Sequence, residues 1–105
     1  MTFDTWRSGP HLLTGSAATL YTVPSSTKVT VRSVTVCNND SASRTFSLSI
    51  GTDAVGTRLF SSYEIAANDS FTLPVEWNLS AAEFFQGWAD TTNLVTLTFN
   101  GFTKV

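Results

Sequence analysis

Apolar and polar residues alternate with a period of two through much of the chain: Lys28-Val-Thr-Val-Arg-Ser-Val-Thr-Val36, Thr45-Phe-Ser-Leu-Ser-Ile50 and Val95-Thr-Leu-Thr-Phe99. That period marks half-buried antiparallel strands, one face in a core and the other toward water or a partner. The pattern predicts strands over 19–23, 28–37, 45–50, 58–65, 70–75, 84–89 and 94–99. In the longest of these, Val29 and Val31 share one parity while Val34 and Val36 share the other. One inserted residue near Arg32-Ser33, a β-bulge, would restore a single inward face. Phe46, Leu48 and Ile50 are expected inward, as are Leu59, Ser61, Tyr63 and Ile65 on the next strand. Pro74 removes a ladder donor and places its strand at an edge. Trp77 follows the parity of Phe71, Leu73 and Val75, so it belongs to the core, and Trp88 is expected to share that role.

The connections are turn-rich. Pro24-Ser25-Ser26, residues 38–43 and 51–56, and Ala66-Ala-Asn-Asp69 carry the residues that turns favour. Residues 79–85 form the one stretch with helical character, a turn or two, with Ser80 and Glu83 spaced as a capping box. Asn100-Gly101 is a hairpin signal. Since only four residues follow it, a single final strand with Gly101 at a bulge is the preferred reading.

Residues 1–17 have no clean period. Gly9-Pro10 and Gly15 interrupt them, yet they hold Phe3, Trp6, Leu12 and Leu13, too many large apolar groups for a free tail. The segment reads either as an N-terminal arm docking on its own domain or a neighbouring subunit, or as an ordinary first strand near residues 11–13. On the arm reading, Phe3, Trp6, Leu12 and Leu13 are the candidate partner-binding residues, and removal of residues 1–9 should leave the domain folded. Residues 18–105 then form a single antiparallel β-sandwich. The Cys…Trp…Cys spacing of immunoglobulin domains is absent, which favours a jelly roll.

Composition narrows the function. About thirty of the 105 residues are Ser or Thr, and charged residues make up 13%, against about 25% in ordinary domains. Uncharged polar groups lose little when a neighbour covers them, so large contact surfaces and a homo-oligomer or assembly component are expected. A net charge of −2 and six dispersed basic residues argue against binding nucleic acid. There is no apolar run long enough to cross a membrane as a helix. No signal peptide is recognisable either, so synthesis in a cytoplasm without export by the usual route is expected.

Reactive chemistry is sparse. Cys37 is the lone cysteine and reads as a buried small hydrophobe. His11 is the single histidine and sits in the irregular N-terminal stretch, a poor platform for a catalytic triad. No usual zinc set, calcium loop or phosphate-binding glycine motif is present, so no metal and no cofactor are expected. Glu64, Glu76, Glu83 and Asp90 are candidates for paired carboxylates but read as solvated charges. The chain is not expected to be an enzyme. Trp6, Tyr21, Tyr63, Trp77 and Trp88 could stack on sugar rings if they formed an exposed, coplanar set.

Four segments carry a resemblance: Thr19-Leu-Tyr-Thr-Val-Pro24, Val34-Thr-Val-Cys-Asn-Asn39, Ile65-Ala-Ala-Asn-Asp-Ser-Phe-Thr-Leu73 and Val95-Thr-Leu-Thr-Phe-Asn-Gly-Phe102. In this order they resemble small virion proteins of tailed bacteriophages over roughly residues 18–103. The resemblance implies a β-sandwich built into a virus particle, such as a capsid decoration (cement) protein, often trimeric and seated on the major capsid protein, or a piece of a head or tail fibre. It brings no catalytic residues. A glycan- or receptor-binding module of a fibre is the alternative, and a neck or tail component a third reading.

Overall fold

The alternating segments become eight strands in a computed structural model that describes residues 3–105: β1 (Phe3–Leu12), β2 (Ala18–Thr22), β3 (Lys28–Asn38), β4 (Arg44–Ile50), β5 (Arg58–Ile65), β6 (Ser70–Leu79), β7 (Phe84–Ala89) and β8 (Val95–Lys104). They form two four-stranded antiparallel sheets, ordered β1-β8-β3-β6 and β2-β7-β4-β5. Most consecutive strands lie in opposite sheets, and only β4 and β5 pair as a hairpin. This is the double Greek key of a jelly-roll β-sandwich.

Inward residues from both layers make one core. Val29, Val31, Val34, Val36, Val95, Leu97 and Phe99 from the first sheet meet Phe46, Leu48, Phe85 and Ala89 from the second. Phe85 and Phe99 stack across the middle with centroids 4.4 Å apart. Aromatic pairs close both long seams. Trp6 of β1 meets Tyr21 of β2 at 4.9 Å. On the opposite side Phe60 and Tyr63 of β5 meet Trp77 and Phe71 of β6 at 6.0 and 5.5 Å. Such ring pairs add to the burial of their area.

The bulge expected in β3 is present: the register shifts between Val31 and Ser33 against both neighbours. Gly101 lies opposite that bulge within an uninterrupted β8. A side chain there would place its Cβ 1.9 Å from the Thr30 carbonyl oxygen, so only glycine lets the strands close. Pro74 sits on β6, an edge strand, as its missing donor requires.

Several expectations are corrected. Residues 79–85 are not helical. Glu83 does bond the Ser80 amide through Oε1 at 2.7 Å, but it closes a tight turn in which Ala82 has φ of +72°. In β5 the phase slips at Ser61-Ser62, where Ser62 has φ of +50°, so Phe60 joins Tyr63 and Ile65 on the inward side. Trp88 lies on the outer face because Phe85, Gly87 and Ala89 take the inward parity of β7. Cys37 is half-buried on the outer side of β3, out of phase with Val34 and Val36. Asn38 is no solvent-loop residue but is buried.

Residues 3–12 also differ from an arm. They pair with β8 from Phe3↔Lys104 to Leu12↔Thr96, with one irregularity at Gly9-Pro10. Gly9 there has φ of +110°, a conformation glycine adopts without strain. That break hides the strand's period in the sequence. β1 is therefore an edge strand of the sandwich itself.

Candidate functional site

The outer face of β1-β8-β3-β6 is built from the alternate positions of strands whose other side is core. Between Val34, Val36, Leu97, Phe99, Phe71 and Leu73, all facing in, the outward residues are Ser33, Thr35 and Cys37 on β3, Thr96, Thr98 and Asn100 on β8, and Ser70, Thr72 and Pro74 on β6. They align in rows across the sheet: Asn100–Ser33–Pro74, Thr98–Thr35–Thr72 and Thr96–Cys37–Ser70. Every one is small and uncharged, and Thr35 and Thr72 hydrogen-bond each other at 2.9 Å. The result is a level surface with hydroxyl and amide groups and no charge to desolvate. Leu12, 52% exposed, borders it on β1.

The other sheet's outer face has a different character. Ser47 and Ser49 are fully buried there. Ser47 Oγ accepts from the Ser62 amide at 2.9 Å, and Ser49 Oγ donates to the Gly51 carbonyl at 2.9 Å. Trp88 pairs with Ser47 across the sheet, and the Arg58 guanidinium lies 5.7 Å from the Trp88 ring centroid. Arg58 also grips Asp53 through both carboxylate oxygens, at 3.1 and 3.2 Å. That ion pair ties the 51–57 loop to the sheet, and the Arg58 hydrogen bond holds the Asp53 carboxyl below its usual range.

The four residues expected to bind a partner do not form one surface. Leu13 is fully buried in the core, and Trp6 packs on it between Tyr21 and Phe99. Leu12 alone points out, and the Phe3 side chain lies outside the described residues. The five aromatics considered for sugar binding are scattered as well. Trp6 with Tyr21 and Tyr63 with Trp77 serve opposite seams, while Trp88 stands apart under Arg58.

His11 comes within hydrogen-bond distance of Ser8, with Nε2 2.8 Å from Oγ. Both face inward across the Gly9-Pro10 irregularity, and burial pushes the imidazole below the usual histidine range. Among the described residues no carboxylate bonds His11, and Ser8 is buried. The described residues contain no cluster of metal-ligating side chains. Among them no helix is long and apolar enough to cross a membrane.

No family model matches the chain, and no curated protein matches it in sequence. Solved structures share the fold. The Drosophila NLP core, described for pentamer formation and histone binding, superposes with a TM-score of 0.53 at 9% identity, over 98% of each chain. A protein of the T13 IBDV viral particle superposes with a TM-score of 0.55 at 8% identity over 96% of this chain, which spans 30% of the viral chain. At these identities the likeness establishes the jelly roll alone.

Proposed function

We propose that this chain is a non-enzymatic structural protein of a virus particle, a capsid decoration protein that binds and stabilises the head shell as a homo-oligomer, expected as a trimer. The observation that carries the reading is the level, uncharged outer face of β8, β3 and β6. Packing such a face against a second copy costs little desolvation, whereas burying charge would cost several kcal/mol per ion. The sequence resemblance to tailed-phage virion proteins supports the particle assignment. So does the use of the same fold in the IBDV particle, and the pentamer of the Drosophila core is a precedent for self-association of a jelly roll. Repeated weak contacts on a symmetric shell gain strength through multivalency. The scattering of the five candidate aromatics leaves the glycan-binding alternative without a platform.

Light scattering on the purified chain tests the reading. The wild type is expected at a multiple of 11.4 kDa, three for a trimer. Thr98→Glu, at the middle of the face, is expected to be monomeric with an unchanged circular dichroism spectrum. A wild type that stays monomeric at the highest attainable concentration, or a Thr98→Glu protein that assembles as well as the wild type, would sink the role given to this face.

A further inference from the structure

Four strands end the two sheets, β1 and β6 on one and β2 and β5 on the other. An exposed edge of this kind is a template for adding a strand from another chain. Three of the four are broken or short. β1 loses its register between Ser8 and His11, where Gly9 has φ of +110°, and the stretch before the break carries the exposed charges Asp4 and Arg7. β5 shifts register twice and has Ser62 at φ of +50°. β2 spans five residues and shifts register between Thr19 and Tyr21. β6 is different. It runs for ten residues with no positive φ, and its Phe71, Thr72, Val75 and Trp77 are of the types that favour strands. It also borders the uncharged face.

The backbone of β6 shows how that edge is closed. The Asn38 amide donates to the Asp69 carbonyl at 2.8 Å, and the next amide, of Asn39, donates to the Leu94 carbonyl at 2.8 Å. Backbone groups alternate sides along a strand. Val34 and Val36 therefore turn theirs toward β6, whereas Ser33, Thr35 and Cys37 turn theirs toward β8. The register pairs are Ser33↔Pro74, Thr35↔Thr72 and Cys37↔Ser70. These pairs exchange no backbone hydrogen bonds, so Pro74, Thr72 and Ser70 point their backbone groups out of the sheet edge. The 2.9 Å contact between the Thr35 and Thr72 hydroxyls fits such a pair, whose Cα atoms lie about 4.5 Å apart. Of the three outward positions, Ser70 has its amide taken by Asp69 Oδ1 at 2.9 Å. Pro74 has no amide hydrogen to offer. Thr72 alone of the three keeps a donor for an incoming strand.

We infer that Pro74 determines how copies of this chain associate: together with Asp69 it closes the β6 edge to strand addition and leaves contact to the adjoining face. A strand added here would meet one donor where a regular edge presents three. Its carbonyls opposite Ser70 and Pro74 would be buried unpaired, which disfavours the addition. The inference rests on the face reading above only for the contact that the wild type makes instead.

The test is light scattering in the Thr98→Glu background, where the face contact is disabled. Each variant is compared with Thr98→Glu itself, so the result stands whether or not the wild type assembles. Thr98→Glu/Pro74→Thr is expected to keep its circular dichroism spectrum and to reach at least about twice the mass of Thr98→Glu as concentration rises. Pro74→Ala in the same background restores the N–H without a β-branched side chain and should associate too. Adding Asp69→Ala to either variant should strengthen association several-fold. Adding Thr72→Pro to Pro74→Thr moves the missing donor two residues along the same edge and should return the mass to that of Thr98→Glu. The inference is overturned if both Pro74 variants, folded, keep the mass of Thr98→Glu at the highest attainable concentration. It is likewise overturned if Thr72→Pro leaves association unchanged, because edge donors would then not be its cause. Association that Asp69→Ala does not strengthen would strike Asp69 from the guard.

Discussion

At the scale of single residues, Asn38 does more than its place at a strand end suggests. Its Nδ2 donates to the carbonyls of Ala42, Ile65 and Ala66 at 3.0, 3.1 and 3.2 Å. Its Oδ1 accepts from the Asp40 amide at 3.0 Å. One buried side chain thereby fastens the β3–β4 turn to the β5–β6 turn, whose Asn68 amide also bonds the Asp40 carbonyl. Removing the amide strands backbone groups that water cannot easily reach, at about 1–3 kcal/mol each. Asn38→Ala should cost roughly 3 kcal/mol in urea unfolding, within the range expected for buried polar groups left unpaired. Asn38→Asp should fare no better, because it turns an acceptor toward three carbonyls. A loss below about 0.5 kcal/mol, typical of surface changes, would show that water replaces these bonds. The sequence could not reveal this role. An Asn before Asn-Asp-Ser reads as turn chemistry, and the carbonyls it serves lie as far as 28 positions away.

At the scale of elements, what was legible depended on whether a phase break left its flanks unambiguous. In β3 two valines stand on each side of the slip, so the bulge was readable. In β5 Ser61 and Ser62 suit either face and aromatics flank both, so the slip was invisible until Phe60 was seen against Phe46 and Trp77. In β1 the Gly9-Pro10 break erased the period altogether. The consequence for β1 can be measured. Deleting residues 1–9 removes Trp6 from its seam with Tyr21 and unpairs β8 from Phe99 to Lys104. Loss of a half-buried Trp alone is worth about 3 kcal/mol, and an exposed β8 edge invites association. The truncated chain should melt roughly 10 °C lower or more and aggregate on heating. A melting point within a few degrees of the full chain would restore the docking-arm reading.

At the scale of the whole molecule, the two layers divide the polar chemistry. Strand periods made the sandwich legible, because each strand declares its own faces. The uncharged face was not legible, since it gathers positions 33–37, 70–74 and 96–100 only when β6, β3 and β8 lie side by side. The described ion pairs, Arg44–Asp40 and Arg58–Asp53, fasten loops next to β4 and β5. That division predicts a two-stage loss of stability in acid. His11 has its pKa lowered by burial, so the unfolded chain binds its proton first. Stability should therefore begin to fall as pH drops through the unfolded histidine value of about 6.5. Asp40 and Asp53 are held below their usual range, chiefly by hydrogen bonds from Arg44 and Arg58. Their contribution is complete above the unfolded carboxylate range near pH 4 and disappears only as pH falls through the lower folded values. Thermal unfolding from pH 8 to 2 should show a shallow step below neutrality and a second one in strong acid. His11→Gln should abolish the first and leave the second. A flat profile between pH 7 and 5 in the wild type would mean that His11 is as well solvated folded as unfolded. The same flatness would show that the Ser8 contact is open to water.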